Sequence, residues 1–285
     1  MKSLFSRTRV HAPGSRVRDR AVPQAHWRSA VLGLLVGSIA TLVVQAPAGW
    51  LAYAVEVATD GRIRLPDASG TVWSGSSRWM LTGGTGSKDG LALPGRVEWS
   101  VHPTWSGFGL RLFSQCCTAQ PLQLQLDAGW RTASVRVVDA SIPTTGAATS
   151  RWPAQLLSGL GAPWNTLQPE GTIELATQAL TITFAGGRMA LTGQAVFTAR
   201  DMSSRLSTIR PMGTYRVQLL GGAPVSLNVT TVQGALQFSG QGQWVGSRLR
   251  FTGEASAEPP FEDALSNLLN IIGRRSGPRS IITIG

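Results

Sequence analysis

The chain has 285 residues, 42% of them hydrophobic and only 14% charged, against roughly 25% charged in an ordinary soluble domain. That balance excludes intrinsic disorder, and 33 glycines and 16 prolines without a period exclude collagen-like and low-complexity chains while predicting many turns. Two cysteines and three histidines exclude a disulfide framework and predict no metal and no cofactor, because no cluster has the ligand count of a metal site.

The first 28 residues form a basic tail. Lys2, Arg7, Arg9, Arg16, Arg18, Arg20 and Arg28 face the single acid Asp19, a net +6 of the total +11. A nucleic-acid binder concentrates its cations on a folded contact face. Here the excess sits mostly in a tail, so no nucleic-acid partner is expected.

Ala30 to Ala46 follows with no charge, bracketed by Trp27 and Trp50. A helix between those tryptophans would span about 34 Å at 1.5 Å per residue, close to the hydrocarbon thickness, with an aromatic ring at each interface. The segment 29–48 therefore reads as a single transmembrane helix, with the tail 1–28 cytoplasmic and 49–285 periplasmic by the positive-inside rule. A cleaved signal peptide is the rival reading, since Ala46-Pro47-Ala48 fits an A-x-A site. The long basic segment and the length of the apolar run favour an uncleaved anchor over that reading and over a soluble core helix.

Beyond the span the pattern becomes short alternating runs: 96–101, 121–126, 134–138, 172–184, 215–219, 225–229 and 249–253. Period-2 alternation predicts strands with one buried face, and glycine pairs at 83–84, 186–187 and 221–222 predict turns. No long helical pattern separates the strands, so the expected fold is mainly β, a curled antiparallel sheet over about 60–258. Segments 70–79, 171–180 and 234–244 resemble one another weakly and suggest a repeat of hairpins. Helices are expected at 153–160 and 261–272, the latter with Glu262 and Asp263 in its first turn and an apolar stripe of Leu265, Leu268, Leu269 and Ile272. A short strand at 280–284 closes the chain.

A search for chemistry returns little. Gly83 to Asp89 lacks the Gly-Lys-Ser/Thr ending of a phosphate loop. His102 is the only histidine past the span, and no serine sits in a G-x-S-x-G elbow. The acids Glu98, Asp127, Asp139, Glu170 and Glu174 are scattered, and Glu170 and Glu174 are expected to face turn and solvent, which argues against a glycosidase. No enzyme is expected. The adjacent Cys116 and Cys117 leave three outcomes open: a bond to each other, pairing between chains, or a reduced, buried pair, with the reduced or merely structural state the default. Tryptophans at 73, 79, 99, 105, 130, 152, 164 and 244 could line a groove, but core packing is the default.

Several phrases together resemble a known family. They are Leu65 to Gly75 with Trp73-Ser74-Gly75, Leu93 to Trp99, the Cys116-Cys117 pair, Trp152-Pro-Ala, Trp164-Asn165-Thr166-Leu167, Arg210 to Tyr215, Gly240 to Trp244 and Leu268 to Arg275. In order and spacing the chain resembles type II secretion system protein N from the span to its C-terminus. The resemblance implies a non-catalytic inner-membrane accessory that acts through periplasmic contacts with the secretin or the inner-membrane platform, helping to export folded proteins. Trp73-Ser74-Gly75 also resembles AsmA-like envelope proteins, which would imply a sheet groove holding phospholipid.

Overall fold

A computed structural model describes residues 27–87, 90–138, 150–246 and 248–285. The basic segment 1–26, Lys88 and Asp89 of the glycine-rich loop, and Asp139 lie outside the described residues. The chain divides into two units, Met1–Val43 and Val44–Gly285.

In the first unit the described chain is helix α1 (Trp27–Val44), which buries no residue and is long and apolar enough to cross a membrane. Past Arg28 it is hydrophobic all round, as helices surrounded by apolar groups are, in a protein core or in a membrane. Its hydroxyl at Thr41 donates back to Gly37 O at 2.8 Å, which satisfies a polar group without water. Pro47 cannot continue the helix, and a second helix, α2 (Ala48–Ala58), starts after it. Helix α2 fills the stretch between the expected span and the expected sheet, which begins at about residue 60. Its outward Trp50, Tyr53 and Val57 are exposed at helical spacing, and Glu56 bridges to Arg64 at 3.2 Å.

The second unit is built mostly of strands. They are β1 (Ile63–Arg64), β2 (Ser69–Gly70), β3 (Ser74–Ser77), β4 (Met80–Thr82), β5 (Gly90–Ala92), β6 (Val97–Pro103), β7 (Gly107–Ser114), β8 (Leu122–Ala128) and β9 (Thr132–Val138). After them come β10 (Ser150–Pro153), a 3-10 turn (Ala154–Leu160), the single turn α3 (Trp164–Leu167), and the long hairpin β11 (Pro169–Ala185) and β12 (Arg188–Ser204). The chain ends with β13 (Gly213–Leu220), β14 (Ser226–Gln233), β15 (Leu236–Val245), β16 (Arg248–Ala257), α4 (Glu262–Ile272), β17 (Arg274–Ser276) and β18 (Arg279–Ile284).

Sheet order follows chain order almost everywhere. From β6 to β9 and from β11 to β16 each strand pairs antiparallel with its sequence neighbour, and the whole sheet runs β17-β18-β16-β15-β14-β13-β12-β11-β9-β8-β7-β6-β3-β2 without closing. Strands β10 and β9 share one edge of β11, pairing with its first and last parts respectively. A separate small sheet, β1-β4-β5, carries the 3-10 turn. The suggested hairpin repeat is absent: residues 70–79 contain a tight hairpin, 171–180 run inside β11, and 234–244 lie almost wholly in β15. Similar alternation arose from similar strands, not from equivalent units.

Two cores flank the sheet. Toward the C-terminus, Leu265, Leu268 and Leu269 of α4 bury against Met212, Leu236 and Ala255. Toward the N-terminus, Leu93, Val97, Cys117 and Leu156 pack with Trp79, Leu81 and Trp152. Between them, the apolar face of β7, β8 and β9 pairs Leu110 with Leu124, Leu112 with Leu122, Leu124 with Val137 and Leu126 with Val135. These side chains are only half-buried, because α4 and the 3-10 turn lie over other strands.

Candidate functional site

The residues singled out in the sequence do not converge on one site. Trp73, Ser74 and Gly75 form the tip and first residues of the β2–β3 hairpin, where Thr71 N donates to Ser74 O at 2.8 Å. Trp99 of β6 lies under that hairpin, its indole Nε1 donating to Val72 O at 3.2 Å and Thr71 O at 3.3 Å. Gly75 is required there: a Cβ would stand 2.5 Å from Trp99 Cζ2 and 2.6 Å from Ser69 O. Arg96 stitches the same hairpin through Asp67 O and Ser76 O, both at 2.8 Å. A shallow depression of mixed character results, lined by Ser74, Gly75, Glu98, Trp99 and Arg111. Trp73 itself turns to Phe108, ring centroids 6.0 Å apart.

Trp164, Asn165, Thr166 and Leu167 make the single turn α3, on the other side of the N-terminal core. Leu167 packs on the C-terminal core cluster and its carbonyl accepts from Ser204 Oγ at 2.6 Å, while Trp164 stays 38% exposed. Trp244 lies near the end of β15, half-buried, its amide donating to Val225 O at 2.9 Å.

Cys116 and Cys117 are bonded to each other in the β7–β8 connection, where the reduced state was the default expectation. Cys117 is buried in the N-terminal core, and its carbonyl accepts from Arg151 N at 2.7 Å. Thr118 Oγ1 closes the turn, accepting from Ser114 N at 2.8 Å.

Two other expectations need correction. Trp105 and Trp130 are not core residues: each stands fully exposed at a hairpin tip. Their signal was present in the sequence, since each sits among Gly, Ser and Thr between two alternating runs, where a strand reading leaves no core to enter. Glu174 is not solvent-facing: only 8% exposed, it accepts from Arg151 Nε at 2.9 Å and Arg200 Nε at 2.5 Å. That hydrogen bond, followed by the Glu174 charge, holds the Arg200 guanidinium above its ordinary pKa. Glu170 pairs with Arg210 at 3.0 Å. These acids are thus occupied by arginines, and His102, exposed at the end of β6, makes no hydrogen bond to a carboxylate or hydroxyl among the described residues.

The described strands form a large open sheet. A family model described as Type II secretion system (T2SS), protein N, matches residues 61–282. The chain belongs to that family. The match begins after α1 and α2, so those helices lie outside it. It includes every motif residue from Trp73 to Trp244. Searches of curated proteins and of solved structures return no match. Membership of the protein N family makes the chain a component of type II secretion.

Proposed function

We propose that this protein N is a non-catalytic accessory held in the inner membrane by α1, with its N-terminus cytoplasmic and its β unit periplasmic. There it contacts the secretin, the inner-membrane platform, or both during export of folded proteins. The family match over 61–282 carries this reading. Support comes from the basic residues preceding the uncharged run Ala30 to Ala46, the arrangement that retains the N-terminal side in the cytoplasm. The β2–β3 hairpin braced by Trp99 and Arg96 is the favoured protein-contact region, because rigid, partly polar surfaces suit specific contacts. The test is deletion of the gene, which is expected to impair release of folded periplasmic substrates, together with crosslinking from positions 74 and 76. Normal secretion in the deletion strain, with no secretion component crosslinked, would sink the proposal.

A second reading rests on the half-buried leucines of β7, β8 and β9. An apolar sheet face without a covering element suits acyl chains, so phospholipid lying along it is the alternative. Native mass spectrometry of the purified protein tests it: copurifying phospholipid that is lost in Leu112→Gln with Leu124→Gln supports the second reading, and lipid unaffected by those changes does not.

A further inference from the structure

Four hairpins present their tips at one end of the sheet. The antiparallel registers place Thr71–Trp73 of β2–β3, Trp105 of β6–β7, Trp130 of β8–β9 and Gly186-Gly187 of β11–β12 on the same side, since Ser74 pairs with Ser100, Pro103 with Phe108, Ala128 with Ala133 and Ala185 with both Thr132 and Arg188. With strands about 4.8 Å apart, the four tips cover roughly 30 Å, and three of them carry a tryptophan. Phe184 and Met189 flank the fourth, both substantially exposed. At the opposite end Trp79 and Trp152 are packed into a core cluster.

The chain also enters the β unit at this end. Two residues after α1 stops, Ala46 O accepts from Val72 N at 2.8 Å and Pro47 bridges to Thr71. An extended residue reaches at most about 3.6 Å, so Val44, two residues before Ala46, lies within about 7 Å of that anchored residue. Arg131 and Arg188 are exposed on either side of the cleft between the third and fourth tips. The carboxylate there, Asp127, is held inside the turns by Ser106 Oγ and by Gln125 Nε2 at 3.1 Å.

We infer that this end of the sheet lies on the lipid surface of the membrane that α1 spans, with Trp105 and Trp130 in the interfacial layer and Arg131 and Arg188 on anionic headgroups. Indoles are amphipathic and bury about 150–250 Å² each, and the headgroup region receives the ring and its N–H together. Nearby arginines add attraction to anionic lipid. The inference rests on α1 being the anchor.

The test uses the full chain carrying a photo-crosslinking benzoylphenylalanine at 105, 130 or 232, reconstituted in vesicles of phosphatidylethanolamine and phosphatidylglycerol. Val232 is an exposed apolar residue near the far end of β14. Lipid adducts at 105 and 130 with loss of the adduct at 232 are expected. In the unmodified chain, brominated lipid should quench tryptophan emission, and Trp105→Phe with Trp130→Phe should reduce that quenching to the part owed to Trp27 and Trp50. A chain that resists alkaline extraction yet gives no lipid adduct at 105 or 130 overturns the inference and leaves the anchor standing. A chain extracted by alkali overturns both. Equal adducts at all three positions would also overturn it, since the contact would then not be specific to this end.

Discussion

Gly75 shows how little room one residue can leave. The indole of Trp99 and the carbonyl of Ser69 both occupy the place of its missing side chain, so Gly75→Ala must displace backbone or a buried ring. Overpacking of this kind costs about 1–3 kcal/mol, and a lowered denaturant midpoint with an unchanged m-value is the expected result. Tyr215 presents a different sensitivity. Burial pushes its phenol above the ordinary value near 10, while its OH donates to Leu236 O at 3.1 Å. Above pH 10 the unfolded chain gives up this proton and the folded chain keeps it, so stability falls as pH rises past that value. Tyr215→Phe should flatten that alkaline decline in a stability measurement across pH 8 to 11, at a cost near neutrality of about 0.5–1.5 kcal/mol for the lost hydrogen bond. Glu174→Ala leaves Arg151 and Arg200 without their shared acceptor. Both arginines are more than half exposed and can rehydrate, so a loss of about 1–3 kcal/mol in chemical denaturation is expected, below that of a fully buried pair. The sequence could not reveal this clamp, because it depends on β10, a four-residue strand of Ser-Arg-Trp-Pro with no alternation to announce it.

Among the elements, α4 was the most legible. Its prolines, its acidic first turn and its leucine stripe are local signals, and the helix occupies Glu262–Ile272 with Leu265, Leu268 and Leu269 buried as the stripe implies. Leu265→Ala or Leu269→Ala empties a site walled by Leu236 and Ala255 and should cost about 2–5 kcal/mol in thermal or chemical unfolding. Strand β12 was harder to see. Gly193, Arg200 and Asp201 interrupt its pattern, and only pairing with β11 and β13 makes it continuous. Helix α2 went unread for another reason: it lacks a polar outward face, so neither amphipathic periodicity nor strand alternation marks it. The motif residues were legible as words but not as roles. Trp99 and Leu167 turned out to be packing residues, whereas Trp105 and Trp130, assigned to packing, are bare.

For the molecule as a whole, antiparallel order followed from sequence because consecutive strands pair, and that much needs only alternation and turns. The absence of closure did not follow, nor did the bare leucine face, since which strands a helix covers depends on contacts far apart in the chain. The proposed orientation across the membrane rests on charge. A reporter active only in the periplasm, fused after Gly285, should function, whereas one fused before Trp27 should not; the reverse result would invert the proposed topology.

The meander has a consequence for how the molecule is made. Nearly every strand from β6 to β16 bonds to the strand just before it, so sequence separations between partners stay short for an all-β protein, and short separations favour rapid assembly. On the proposed topology, a β unit delivered from its own N-terminal end can therefore add one strand at a time to an edge already in place. Only α4 must wait for the end, because it covers residues of β15 and β16 that precede it. A chain shortened after Glu258 should accordingly keep a protease-resistant N-terminal half while its C-terminal strands are digested, and uniform loss of resistance would show instead that the sheet assembles all at once.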